Sequence, residues 1–101
     1  MRNLEDLVEI IKNRKNKDVD KSYTSSLLSG GVVKCIEKLE EEFEELTEAL
    51  NEKTNIVHET ADMIYHLLVT LEAANIKFED VIKELENRKN QSGIEEKNSR
   101  K

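Results

Sequence analysis

Two carboxylate pairs with the same spacing are the strongest chemical signal in this sequence. Glu42 and Glu45 are three residues apart, and Glu59 and Asp62 repeat that spacing further along the chain. On a helix, residues three apart lie roughly 60° apart around the axis, so each pair occupies one face. Two such pairs facing each other would supply the hard oxygen ligands that Mg²⁺ prefers.

The surroundings of the second pair favour a metal site over a solvated acidic face. For the acidic run 40–45 taken alone, a solvated helix face is the simpler interpretation. Asp62, however, shares a face with His66 and Val69 in a mostly apolar segment. A buried carboxylate costs several kcal/mol unless it is paired or bound to metal. These faces offer too few basic residues to pair with all the acids, so we interpret the carboxylates as metal ligands.

The spacing of apolar residues predicts the helices that position these carboxylates. In the long segment 32–52, apolar residues alternate in steps of four and three, which indicates an amphipathic helix that contains the first pair. The segment 55–74 contains the second pair and is apolar on nearly every side, as in a central helix. We expect an all-α, four-to-five-helix bundle in which these two helices form an antiparallel hairpin. Shorter helices are predicted at 3–15, 25–29 and 78–89.

Length and charge restrict the classes of function. The 101 residues suffice for one domain, which we expect at 1–89, followed by a disordered polar tail at 90–101. The formal net charge of -6 argues against nucleic acid as a partner, because binding to a phosphate backbone needs a basic face. A small domain with apolar residues around its central helix has more apolar surface than it can cover alone, which predicts a homodimer assembled through the central helices.

Cysteine content and hydropathy indicate the cellular setting. Cys35 is the only cysteine, so no internal disulfide can form, and a reducing environment is expected. No apolar run approaches the roughly 18 residues of a membrane span, and the acidic start of the chain is unlike a signal peptide. We therefore expect a cytoplasmic protein that does not enter a membrane.

The acidic motifs resemble those of a known enzyme family. The chain is similar to the phosphoribosyl-ATP pyrophosphatases, which belong to the all-α nucleotide pyrophosphohydrolases of MazG type, with the metal motif EExxE followed by ExxD. The matching residues here are Glu41-Glu42-x-x-Glu45 and Glu59-x-x-Asp62. More specific marks are the motif Ser22-Tyr23-Thr24 and the segment 62–68, DMIYHLL. The similarity extends over residues 4–88.

The resemblance implies a reaction and a set of site residues. It implies hydrolysis of phosphoribosyl-ATP between the α and β phosphates, an early step of histidine biosynthesis that gives phosphoribosyl-AMP and pyrophosphate. Mg²⁺ is the implied cofactor, and Glu41 is the candidate general base or ligand of a second metal ion. The implied metal ligands are Glu42, Glu45, Glu59 and Asp62, and the candidate substrate-binding residues are Tyr23, Thr24, Lys38 and His66.

Each candidate substrate-binding residue also has a structural interpretation. The hydroxyls of Tyr23 and Thr24 can hold phosphate oxygens at a helix start, but Thr24 can equally be a helix cap. Lys38 can reach a phosphate or form ion pairs with neighbouring glutamates. His66 can hydrogen-bond a carboxylate or the substrate, or serve as a partly buried structural residue. Tyr65 is interpreted as packing.

Three positions depart from the family pattern, and two alternative functions stay open. Glu40 replaces a usual glycine, Phe43 a small residue and His58 a common glutamate, and His58 is interpreted as a surface residue. One alternative is a MazG-type pyrophosphohydrolase that acts on another nucleoside triphosphate. The other is a non-enzymatic helical interaction module, which would require both carboxylate pairs to face solvent.

Overall fold

The computed structural model describes residues 3–15, 17 and 22–89, and every regular element within them is an α-helix. This confirms the all-α prediction, and each predicted helix end lies within two residues of the observed one. The predicted tail at 90–101 lies outside the described residues. The helices are α1 (Leu4–Arg14), α2 (Tyr23–Ser29), α3 (Gly31–Glu52), α4 (Ile56–Ala73) and α5 (Phe78–Arg88).

The two long helices, α3 and α4, form the predicted antiparallel hairpin and have the most extensive contact of any helix pair in the described chain. Their connection turns sharply because Lys53 and Asn55 adopt left-handed backbone conformations, with φ of 59° and 53°. Asparagine is one of the few residues besides glycine that often adopts this conformation. This hairpin sets the carboxylates of α3 opposite those of α4.

A glycine makes the abrupt change of direction from α2 to α3. The backbone N–H of Gly30 donates to the Leu27 and Ser26 carbonyls and ends α2. Gly31 then begins α3 with φ of 85°, a value that side chains other than glycine rarely permit. The seven-residue helix α2 is thereby folded back against the hairpin.

The core lies where the first four helices meet. Five apolar side chains are almost fully buried there, namely Ile11, Leu27, Cys35, Leu68 and Val69. Helix α4 contacts α1, α2 and α3, which confirms its predicted central position. At the polar edge of this core, Lys15 Nζ lies 3.4 Å from Glu72 Oε2 and links the end of α1 to α4.

Helix α5 is peripheral, since it has no buried residue. Asn75, with φ of 60°, provides a left-handed stop after α4, and Lys77 precedes α5 without a side-chain cap. Across residues 3–15, 17 and 22–89, no helix combines the length and apolar character needed to cross a membrane.

Candidate active site

The hairpin brings the predicted metal ligands together in two overlapping groups. Glu42 and Glu45 on α3 and Glu59 on α4 each place one carboxylate oxygen within 4.8 Å of the others. Glu59 also belongs to a second group, with His58 and Asp62, in which one donor atom of each residue again lies within 4.8 Å of the others. All the predicted carboxylate ligands therefore lie in one continuous centre joined at Glu59.

In each of the two inner carboxylates of this centre, one oxygen has no hydrogen-bond partner. The side chains of Glu42 and Glu59 are only 14% and 17% exposed. The Oε2 atom of each is fully buried and has no hydrogen-bond partner. A buried acceptor without a partner is costly to the fold, and a bound cation would satisfy both oxygens. Oxygen donors are the ligands that suit Mg²⁺, so the donor set fits this ion.

The electrostatics of the centre favour binding of a cation. Burial raises the pKa of Glu42, and the carboxylates of Glu45, Asp62 and Glu59 raise it further, while His66 opposes them. Burial also raises the pKa of Glu59, and the nearby Glu45 carboxylate adds to this. Both shifts mean that negative charge is disfavoured here without a counter-ion.

His66 connects α2 to the carboxylate centre. It is 6% exposed, and its Nδ1 lies 2.8 Å from the Asp62 carbonyl oxygen. Because a carbonyl only accepts, Nδ1 donates this hydrogen bond. The other ring nitrogen, Nε2, lies 3.0 Å from the Tyr23 hydroxyl and is hydrogen-bonded to it. The Oε1 atom of Glu42 lies 3.9 Å from Nδ1. His66 is thus held between α2 and the carboxylate centre.

Thr24 is not the cap of its helix, contrary to one of the two interpretations above. The side chain of Ser22 accepts from the Ser25 backbone N–H and caps α2. The Thr24 hydroxyl instead hydrogen-bonds the Tyr65 hydroxyl, so Tyr65 contributes more than packing. The Tyr65 ring also meets His66 edge-on, at 5.2 Å between centroids.

Lys38 and Glu41 lie on the exposed side of α3. Lys38 Nζ is 3.2 Å from Glu41 Oε2, and their side chains are 41% and 60% exposed. The hydrogen bond to Glu41 raises the pKa of Lys38, which keeps the ammonium charged at neutral pH. Glu41 is in neither carboxylate group, so the structure separates it from the four predicted metal ligands.

His58, interpreted from the sequence as a surface residue, lies beside the carboxylate centre. Its side chain is 71% exposed, as expected, but its Nε2 lies 3.3 Å from Asp62 Oδ2. The available signal was the i, i+4 spacing to Asp62, which places both residues on one helix face. A helical spacing common to many exposed ion pairs gave no reason to single it out.

Comparison with known proteins identifies the family. The sequence model described as "Phosphoribosyl-ATP pyrophosphohydrolase" matches residues 4–89. A protein of Ruegeria pomeroyi named phosphoribosyl-ATP pyrophosphatase is 44% identical over 99 residues, which cover 96% of this chain and 94% of that protein. A protein of the same name from Paracoccus denitrificans is 45% identical over 97 residues, 94% of this chain and 90% of the relative.

A longer relative contains a corresponding segment. The histidine biosynthesis bifunctional protein HisIE of Helicobacter hepaticus is 47% identical over 100 residues, 97% of this chain. The chain spans only 43% of the length of that protein. The region 4–89 that matches the family model includes every residue of the centre described above. The chain therefore belongs to the phosphoribosyl-ATP pyrophosphohydrolase family, a family of hydrolases.

Proposed function

We propose that the chain hydrolyses phosphoribosyl-ATP to phosphoribosyl-AMP and pyrophosphate, an early step of histidine biosynthesis. The observation that carries this proposal is the pair of buried, unpartnered oxygens of Glu42 and Glu59 between α3 and α4. They indicate a cation site in a chain whose relatives are named for this substrate. The burial of these two acids also argues against an interaction module with both carboxylate pairs in solvent.

In this proposal Glu42, Glu45, Glu59 and Asp62 hold Mg²⁺. When bound, Mg²⁺ offsets the charge of the triphosphate and makes water a better nucleophile. Glu41 is the proposed general base that accepts a proton from the attacking water. Glu41 is next in sequence to Glu42 on α3, and its exposed side chain is accessible to water.

The residues around α2 are proposed to bind the phosphates. Burial raises the pKa of Tyr23, which keeps its hydroxyl protonated and able to donate. The hydrogen bonds of Tyr23 to His66 and of Thr24 to Tyr65 fix the start of α2 against α4. Lys38 adds a positive charge in the first half of α3, the helix that follows α2. In this proposal the hydroxyls of Tyr23 and Thr24 turn from these contacts to donate to phosphate oxygens, and together with Lys38 they orient the triphosphate towards the carboxylates.

The proposal includes a homodimer formed through α3. Three apolar side chains of α3 recur every seven residues and are about half exposed: Ile36 at 44%, Phe43 at 58% and Leu50 at 53%. An apolar stripe with this period on a long helix is the pattern that packs against another helix. The described part of the chain leaves about half of each of these side chains uncovered. A cytoplasmic setting, in which the free thiol of Cys35 stays reduced, completes the proposal.

Substrate choice is tested by an assay of phosphate release. Phosphoribosyl-ATP is compared with common nucleoside triphosphates, with Mg²⁺ or with chelator, in the presence of inorganic pyrophosphatase. We expect Mg²⁺-dependent release with phosphoribosyl-ATP and far slower release with the other nucleotides. Faster turnover of another nucleoside triphosphate would support the MazG-type alternative instead.

A further inference from the structure

His58 places a nitrogen donor at the edge of the carboxylate centre. Its Nε2 lies 3.3 Å from Asp62 Oδ2 and 4.0 Å from Glu59 Oε1. One donor atom from each of the three residues lies within 4.8 Å of the other two. Donors that share one ion at bond lengths near 2.1 Å are separated by about 3 Å, so a small movement suffices to bring all three onto one cation.

The helix fixes this arrangement. His58 and Asp62 are four residues apart on α4 and therefore point to the same side. A separate observation is that the Oε2 atom of Glu59 is buried without a hydrogen-bond partner, and a cation held by the three residues would satisfy it. The imidazole itself is 71% exposed, so it can turn towards an ion without disturbing the core.

An imidazole changes which cations a carboxylate site prefers. Oxygen donors suit Mg²⁺, whereas imidazole nitrogen suits Co²⁺, Ni²⁺ and Zn²⁺, for which affinity is intrinsically higher. We propose that His58 is an additional ligand of the centre and shifts its selectivity from Mg²⁺ towards these borderline cations. This inference rests on the metal centre proposed above and names a property of that centre that the carboxylates alone do not have.

A different role for His58 is an ordinary ion pair with Asp62. An exposed i, i+4 pair of this kind contributes little to stability. It would occupy Asp62 and weaken the binding of every cation alike. The two roles therefore predict opposite effects of removing the imidazole.

The test measures metal affinity rather than turnover. Metal-free protein without a histidine tag is titrated calorimetrically with Mg²⁺ and, separately, with Ni²⁺, for the wild type, His58→Gln and His58→Glu. We expect both substitutions to weaken Ni²⁺ binding by at least about tenfold, the loss caused even by removing a group that only hydrogen-bonds a metal ligand. His58→Gln should change Mg²⁺ affinity by less than about threefold, and His58→Glu should strengthen it, since Mg²⁺ favours an anionic oxygen.

Co²⁺ absorption gives a second readout. The visible bands of Co²⁺ report the nitrogen and oxygen atoms around the ion, so the spectrum of the wild-type complex should differ from that of His58→Gln. The matched control is Glu48→Gln, which removes a charge from the groove beside Glu45 and Glu59 without belonging to either group. It should leave the ratio of Ni²⁺ to Mg²⁺ affinity unchanged.

The outcomes separate this inference from the proposed function. An unchanged affinity ratio and Co²⁺ spectrum in His58→Gln would overturn the role of His58 and leave the carboxylate centre intact. Tighter binding of both cations by His58→Gln would also overturn it and establish the ion pair with Asp62. A wild type that binds neither cation would overturn the metal centre itself.

Discussion

Asp62 is a proposed metal ligand, and its replacement shows whether it binds a metal ion or only pairs with a neighbouring side chain. Its contact with His58 is exposed, so losing it should cost little, and Asp62→Asn also relieves repulsion among the carboxylates. We expect metal-free Asp62→Asn to be as stable as the wild type or more stable. Millimolar Mg²⁺ should stabilise the wild type by mass action and the mutant much less. Turnover should fall by at least about a hundredfold.

Melting curves with and without Mg²⁺, together with the activity assay, check this prediction. Asp80→Asn, an exposed acid of α5, is the control and should keep the full metal response. If Asp62→Asn loses several kcal/mol without metal while its metal response and turnover persist, Asp62 is a structural partner and not a ligand.

Glu41 should matter for proton transfer and not for metal binding. Its carboxylate pairs with Lys38 and lies outside both carboxylate groups. Glu41→Gln should therefore reduce kcat by about a hundredfold or more, the scale of general base catalysis, and leave the Mg²⁺-induced rise in Tm unchanged. Glu44→Gln, an exposed neighbour on the same helix, is the matched control. Wild-type turnover in Glu41→Gln would show that Glu41 is not the general base and forms only the ion pair with Lys38.

Cys35 should be unreactive as long as the fold is intact. It is 2% exposed, its Sγ donates to the Leu27 carbonyl oxygen at 3.4 Å, and burial raises the pKa of the thiol. Alkylating reagents attack the thiolate, so a raised pKa lowers the reactive fraction at any pH below it. Iodoacetamide at pH 8 should modify the folded protein at least about a hundredfold more slowly than the urea-unfolded protein, because reaction requires opening. Comparable rates would show that the contact between α2 and α3 opens readily.

At the scale of elements, two hydroxyl contacts should hold the start of α2 in place. The helix has seven residues, and its Thr24 hydroxyl meets that of Tyr65 on α4. In a double-mutant cycle with Thr24→Val and Tyr65→Phe, the coupling energy should be about 1 kcal/mol, as for a typical hydrogen bond. Thr47→Val is the control, since the Thr47 hydroxyl donates to the Phe43 carbonyl oxygen within α3, at an exposed position. The substitution Thr47→Val should show no coupling energy with Tyr65→Phe.

The contact between the Thr24 and Tyr65 hydroxyls should also affect substrate binding. If α2 positions phosphate-binding groups, Tyr65→Phe should raise KM for phosphoribosyl-ATP, whereas Thr47→Val should not. A coupling energy near zero in urea unfolding, with KM unchanged, would mean that the position of α2 depends on its apolar contacts alone.

At the scale of the whole molecule, the stripe of α3 predicts association. Light scattering at micromolar concentration should give about twice 11.7 kDa. Phe43→Glu places a charge in the stripe and should reduce the mass to that of the monomer. Leu85→Glu on α5 is the matched control, since Leu85 is 56% exposed and Phe43 58%, and it should stay dimeric. A wild-type mass of 11.7 kDa would contradict the dimer.

The sequence by itself determined the helices, the hairpin and the carboxylate pairs. Apolar spacing of 3.6 residues is a local property, so α3 and α4 were placed within two residues of their observed ends. The i, i+3 spacing likewise put Glu42 with Glu45 and Glu59 with Asp62 on common faces without any tertiary information. The position of α4 at the centre followed from its apolar residues on nearly every side.

Only the tertiary structure decided which side chains of different elements meet. Spacing within a helix cannot show that Tyr65 reaches Thr24, that Glu59 is more buried than Asp62, or that Glu41 lies outside both carboxylate groups. Each of these depends on the rotation of one helix about its axis relative to another, and that rotation is set by the packing of Ile11, Leu27, Cys35 and Val69. The helical repeat determines which side chains three and four residues apart are neighbours within a helix. The packing of the helices against each other determines which side chains of different helices are in contact.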